Sequence, residues 1–184
     1  MKKVLFSTFL ILAFLAAKAQ NPDRVITTHN DTIPCIISQS ALTAAFKYRT
    51  TAKGKTIKIT PDKIKEFYTG DKAYWYRRIF RKTDGPMFMS IIERGKICLY
   101  EATVYPVGDD LPTPTKQLYA AKGSDTAILV KTVGEIVFSN RNKRIKKFGG
   151  LLYDNQTAYN QYLADVNFSA DEIKKLVQLY DGKN

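Results

Sequence analysis

Residues 87–106 read MFMSIIERGKICLYEATVYP, and the fold follows from how this stretch is read. Two apolar runs, Met87–Glu93 and Lys96–Val104, flank Arg94-Gly95. A glycine between two such runs can supply the positive φ that a two-residue hairpin turn demands. The spacing therefore predicts a β-hairpin with Glu93 opposite Lys96, Ile91 opposite Cys98 and Met89 opposite Tyr100. Ile92 and Ile97 then share the other face. Both faces are mostly apolar, so the hairpin belongs in the middle of a sheet with another layer against each side.

Upstream, Val25–Thr28 and Thr32–Ile37 read as strands joined at His29-Asn30-Asp31, with Pro34 marking an edge or a bulge because it cannot donate to a ladder. Ala44–Thr50 alternates Phe46 and Tyr48 with Lys47 and Arg49, and Lys55–Thr60 turns Ile57 and Ile59 inward. Thr60-Pro61-Asp62 caps a single helical turn. Ile64–Thr69 and Lys72–Phe80 lead into the hairpin. Downstream, the Gly/Pro/Asp-rich run Pro106–Thr115 is a loop, and Gln117–Ala121, Ala127–Val133 and Ile136–Phe138 complete a β-rich region over 24–139.

From about Asn140 to residue 181 the period becomes helical: Ile145, Phe148, Leu152; then Tyr159, Tyr162, Leu163, Val166; then Ile173, Leu176, Val177, Tyr180. Ser169 with Glu172 three residues on forms a capping box for the last segment. Strands followed by helices predict an α+β domain: an antiparallel meander of about eight strands, as a sheet or partly open barrel, then three amphipathic helices.

Lys2-Lys3, the apolar run Val4–Ala17 and the small residues around Ala19 predict a secretory signal peptide over 1–19 and a single mature domain over 20–184. That apolar run is too short to span a bilayer core of about 30 Å as a helix, so no transmembrane anchor is expected. Of 29 basic residues, 26 remain after Lys2, Lys3 and Lys18 are removed, against 17 acidic ones. A net charge near +9 favours anionic partners, which outside the cytoplasm means lipid headgroups or polysaccharides such as lipopolysaccharide rather than nucleic acid. The bland alternative is that the charge merely solvates the surface.

The chain is poor in chemistry-bearing patterns. Cys35 and Cys98 are the only cysteines, and both sit in apolar runs where a reduced thiol acts as a small hydrophobe. His29 is the sole histidine; a pairing with either cysteine is conceivable, but a turn histidine is more often simply solvated. Asp109-Asp110 lacks the spacing of a Ca²⁺ loop. No metal, cofactor or phosphate-binding motif is present, so the sequence implies no cofactor.

Two clusters look ligand-like. Tyr74-Trp75-Tyr76 next to Arg77, Arg78 and Arg81 combines aromatic faces with cations, which can hold sugars or anions, although strand alternation sends neighbours to opposite faces. Arg141–Lys147 forms a basic amphipathic segment in which Lys143, Lys146 and Lys147 lie opposite the Ile145/Phe148/Leu152 stripe. That stripe can equally dock on the domain's own sheet, leaving the lysines solvated.

The runs DTIPCII (Asp31–Ile37), ITPDKIKEF (Ile59–Phe67), IIERGKICLYE (Ile91–Glu101) and DEIKKLVQLY (Asp171–Tyr180) together resemble a family of exported proteins of Bacteroidetes-type bacteria, a domain without assigned activity that some relatives carry ahead of an outer-membrane barrel. This chain departs at Cys35, where the family favours glycine. The resemblance implies an envelope location and no particular chemistry. The expectation is an exported, periplasmic or extracellular binding or accessory module with a basic surface; the competing classes are a hydrolase with an unassembled site and a structural partner of an outer-membrane protein.

Overall fold

The computed structural model describes residues 22–40, 45–81, 85–104, 114–133, 145–164 and 168–183. The signal segment expected at 1–19, the strand expected at Ile136–Phe138, Asp109-Asp110 and the stretch through Lys143 lie outside these residues. The chain divides into two compact units, Met1–Tyr74 and Trp75–Asn184.

Among the described residues of the first unit, every regular element is a strand. β1 (Arg24–Thr27), β2 (Thr32–Pro34) and β6 (Ile64–Thr69) pair antiparallel in the order β6-β1-β2, while β3 (Ile36–Gln39), β4 (Phe46–Arg49) and β5 (Ile57–Lys58) form a small second sheet. The expected strand Thr32–Ile37 is thus two strands, broken at Cys35. Pro34 ends the edge strand, as its missing donor requires. Asp23 fixes the break: one carboxylate oxygen accepts the Ile37 N–H and the other the Gly70 N–H, both at 2.7 Å, and its carbonyl accepts the Cys35 N–H at 3.0 Å. β4 has the expected wet face, with Tyr48 buried and Lys47 and Arg49 exposed. The inward expectation holds for Ile59 but not for Ile57, which is 39% exposed because β5 is an edge only two residues long.

The second unit carries β7 (Tyr74–Arg81, from its second residue), β8 (Met87–Glu93), β9 (Ile97–Val104), β10 (Thr115–Lys122) and β11 (Thr126–Val133), antiparallel in the order β11-β10-β9-β8-β7. A two-residue parallel bridge, Thr126 to Phe80 and Ala127 to Arg81, curls β11 back toward β7 and makes the sheet mixed without closing it into a full barrel. A π-helical turn (Ile145–Gly149) runs into α1 (Gly150–Leu152); α2 (Gln156–Ala164) and α3 (Ala170–Tyr180) follow. Strands first and helices last make the protein α+β.

The hairpin β8–β9 is interior to this sheet and covered on both faces, as its two apolar faces require. Inside the curl, Met89, Tyr100 and Ala102 pack with Ile79, Tyr119, Ala121 and Ala127. On the outside, Ile97 and Leu99 join Leu118, Ala120 and Val130 against the helices. The register differs from expectation: Ile91 lies opposite Tyr100, not Cys98, and a bulge follows between Ile91 and Glu93. The shift is two residues. Because side chains alternate with period two, that slip leaves Met89, Ile91 and Tyr100 on their expected face, while the bulge moves Glu93 off it and sets it opposite Leu99 on the helix side.

The helices form because their stripes are buried here. Ile173, Leu176, Val177 and Tyr180 of α3 are all buried, each burial contributing about 1.5–3 kcal/mol. The capping box is present in both directions, Ser169 accepting from the Glu172 N–H at 3.2 Å and Glu172 from the Ser169 N–H at 2.7 Å. Phe168, just ahead of the cap, adopts φ 46°, a left-handed conformation uncommon for a bulky residue. It is held there by Phe148 and Tyr162, with ring centroids at 6.0 and 5.4 Å.

Candidate functional site

The inner face of the curled sheet is filled along most of its length by Ile79, Met89 and Tyr119. The filling changes where the turn Arg94–Lys96 and the turn Gly123–Asp125 lie. Here Arg77, Cys98, Tyr100 and Ala121 line an open cleft of about 430 Å³, completed by Gly95, Lys96, Gly123, Ser124 and Asp125. Cross-strand pairing explains why these residues meet. Arg77 stands opposite buried Met89, so its side chain takes the inner face, and Ala121 stands opposite Cys98, where a methyl leaves space a larger residue would fill. Gly123 sits at φ +65°, the conformation that favours glycine in the β10–β11 turn.

The cleft holds both signs of charge. Tyr100 has the Cys98 thiol and the Arg77 guanidinium as hydrogen-bond partners. Burial, then the neighbouring Cys98, pushes its hydroxyl well above the ordinary tyrosine range, with Arg77 only partly offsetting this, so Tyr100 stays neutral at physiological pH. Cys98 Sγ donates to the Gly95 carbonyl at 3.4 Å. Asp125 is half-buried; its carbonyl accepts the Phe80 N–H at 2.9 Å, while its carboxylate makes no ion pair among the described residues.

Other expected residues are dispersed. Of the arginine group, Arg77 faces the cleft, Arg78 lies over the Phe80 ring at 5.2 Å, and Arg81 stands at the bridge to Ala127. Strand alternation thus divides them between two faces. Tyr74 is 54% exposed, whereas Trp75 is half-buried beneath Arg94, 5.1 Å from its ring centre, and Tyr76 is half-buried on the opposite face. Lys146 and Lys147 are exposed while Phe148 and Leu152 are buried among the helices and sheet. His29 and Cys35 belong to the first unit, His29 exposed in its turn and Cys35 buried, while Cys98 belongs to the second. Both thiols are free.

Lys96, Tyr100, Ser124 and Asp125 carried no signal in the sequence, because only the curl of the sheet gathers them around Arg77. Among the described residues, no three His, Cys, Asp or Glu side chains converge in a way that could hold a metal ion, and no helix is long and apolar enough to cross a membrane. No protein-family model, curated protein or solved structure matches the chain.

Proposed function

We propose that this chain is an exported binding module of the cell envelope, acting without catalysis, and that it holds a small anionic ligand in the cleft around Arg77. The observation that carries this reading is the guanidinium on the inner face of the sheet, lining an open cleft beside a neutral phenol and Lys96. A planar five-donor cation beside a neutral donor suits a carboxylate or phosphate. Binding is favoured over hydrolysis because the cleft's one thiol is hydrogen-bonded to a carbonyl and no imidazole lines it to act as base. Export rests on the segment 1–19, and an intact mass beginning at Gln20 in envelope fractions is the expected result; recovery of the unprocessed chain there would remove the compartment from this reading.

The test is calorimetric titration with N-acetyl-alanyl-alanine, a carboxylate without an ammonium group. Saturable binding is expected, weakened by added salt and lost in Arg77→Gln, with Arg77→Lys retaining part of it. Absence of saturable binding to the native protein, or binding indifferent to Arg77, would overturn the proposal. A second reading, peripheral docking on an anionic surface, is favoured by the exposure of Lys146 and Lys147 beside Phe148, which is buried in the core.

A further inference from the structure

We infer that the cleft is built for a zwitterion of about dipeptide size, its carboxylate held by Arg77 and Lys96 and its ammonium by Asp125. This deepens the anion-binding reading above and rests on it. The cleft is lined by cations and by one carboxylate, and that carboxylate is not spent on the cations: Asp125 has no ion-pair partner among the described residues. Asp125 is the one acidic residue of the lining, and a carboxylate is the side chain that would accept hydrogen bonds from a ligand ammonium.

Spacing sets the size. Asp125 is anchored to β7 through its carbonyl at Phe80, and Arg77 lies three residues earlier on the same strand. At about 3.3 Å per residue the two anchor points are about 10 Å apart. A ligand bridging the two residues must therefore span several bonds, as the termini of a dipeptide do and those of a single α-amino acid do not. The volume of about 430 Å³ falls within the range of small-molecule sites and is too small for a folded partner. Ala121 and Tyr100 between the charged ends supply an apolar floor and a neutral donor for the central peptide group.

The experiment compares alanyl-alanine with N-acetyl-alanyl-alanine and alanyl-alanine amide by calorimetry, on the whole protein and on Asp125→Asn. Asp125 is in a turn and its anchoring hydrogen bond uses backbone, so the substitution preserves the fold; Asp125→Ser serves as a second variant, and unchanged melting temperature is the control for both. Alanyl-alanine is expected to bind at least tenfold more tightly than either blocked peptide, and Asp125→Asn to remove its advantage over the acetylated one. If both peptides bind equally through Arg77 and neither notices Asp125, the zwitterion inference fails and anion binding stands. If no peptide binds, both fail. Tighter binding of the amide than of the acid would overturn the assigned orientation.

Discussion

The Asp181 carboxylate is laid directly against Gly95: a Cβ built on Gly95 would come within 1.5 Å of Asp181 Oδ2, and Asp181 Oδ1 accepts the Lys96 N–H at 2.9 Å. Gly95 is therefore needed for space. It does not adopt the positive φ expected from its place between two strands, which among the described glycines occurs at Gly123 and Gly182. A methyl at Gly95 must push the carboxylate away and break its bond to Lys96, so Gly95→Ala should destabilise by about 1–3 kcal/mol, the cost of a disrupted hydrogen bond and a displaced polar group. The check is a double-mutant cycle in denaturant. In an Asp181→Ala background, Gly95→Ala should become nearly neutral; an equal cost in both backgrounds would mean the clash is not its source.

Next to this contact, Glu93 accepts from Gln178 Nε2 at 2.9 Å and pairs with Lys183 at 2.6 Å, and Lys183 also donates to the Arg94 carbonyl. Burial alone would raise the Glu93 pKa, but the hydrogen bonds from Lys183 and Gln178 together outweigh it and hold the group below its ordinary 4.5. The Glu93 hydrogen bond, exceeding the desolvation cost, raises Lys183 above 10.5. A depressed carboxylate contributes stability that is present above its unfolded pKa and lost as pH falls through the folded value; a raised lysine contributes stability present below its unfolded pKa and lost as pH rises through the folded value. The C-terminal clasp should thus hold from about pH 5 to pH 10 and loosen below about pH 4. Melting curves of the wild type and Glu93→Gln should converge on acidification, and a gap that persists unchanged at pH 3 would contradict the assignment.

These contacts also explain how far the sequence could be read. Period-two alternation was enough to assign Met89 and Tyr100 to one face and Ile97 and Leu99 to the other, because it survives a two-residue slip. The register was not legible: it depends on a bulge after Ile91 and on a turn shaped by Asp181, which lies 85 residues from Lys96 in sequence. The capping box at Ser169 was legible because it is local and its residue types are specific. The cleft was not. Arg77 is one of three neighbouring arginines in the sequence; strand alternation parts it from Arg78, but its meeting with Cys98 and Asp125 arises only when the sheet curls.

The two thiols should differ sharply in reactivity. Burial, reinforced by the nearby Asp23 carboxylate, pushes the Cys35 thiol up to about 11, leaving about one molecule in a thousand as thiolate at pH 8. Cys98 is half-buried and lines an open cleft. Iodoacetamide applied to the native protein at pH 8, followed by peptide mass spectrometry, should label Cys98 well before Cys35. Equal labelling rates, or a Cys35–Cys98 linked peptide from unreduced native material, would contradict the structure.

His29 should be dispensable. It is exposed, and the hydrogen bonds that hold its turn use its backbone N–H to Thr27 Oγ1 and the Asn30 N–H to the Thr27 carbonyl, not the imidazole. His29→Ala should therefore shift stability by no more than about 0.5 kcal/mol and leave peptide binding at the cleft unchanged. Loss of binding at constant melting temperature would revive a Cys–His chemistry.

Surface docking, if lysines rather than arginines carry it, has a distinct signature in charge reversal. Phe148 and Leu152 are buried in the protein's own core, so the turn bearing Lys146 and Lys147 cannot insert either of them into a membrane. Its attraction to an anionic surface must then be electrostatic, worth about 1 kcal/mol per lysine near the headgroups. Lys146→Glu/Lys147→Glu removes two such contacts and adds two repulsions, and sedimentation with vesicles containing anionic lipid at 0.1 M salt should fall more than tenfold. Wild-type binding should disappear at 1 M salt, where the screening length contracts from about 10 Å to about 3 Å. Arg78→Gln should change vesicle binding by less than twofold, because that guanidinium is half-buried over the Phe80 ring rather than presented to solvent. Binding that resists both salt and the lysine reversals in a variant of unchanged melting temperature would leave these lysines as ordinary solvated charge and confine recognition to the cleft.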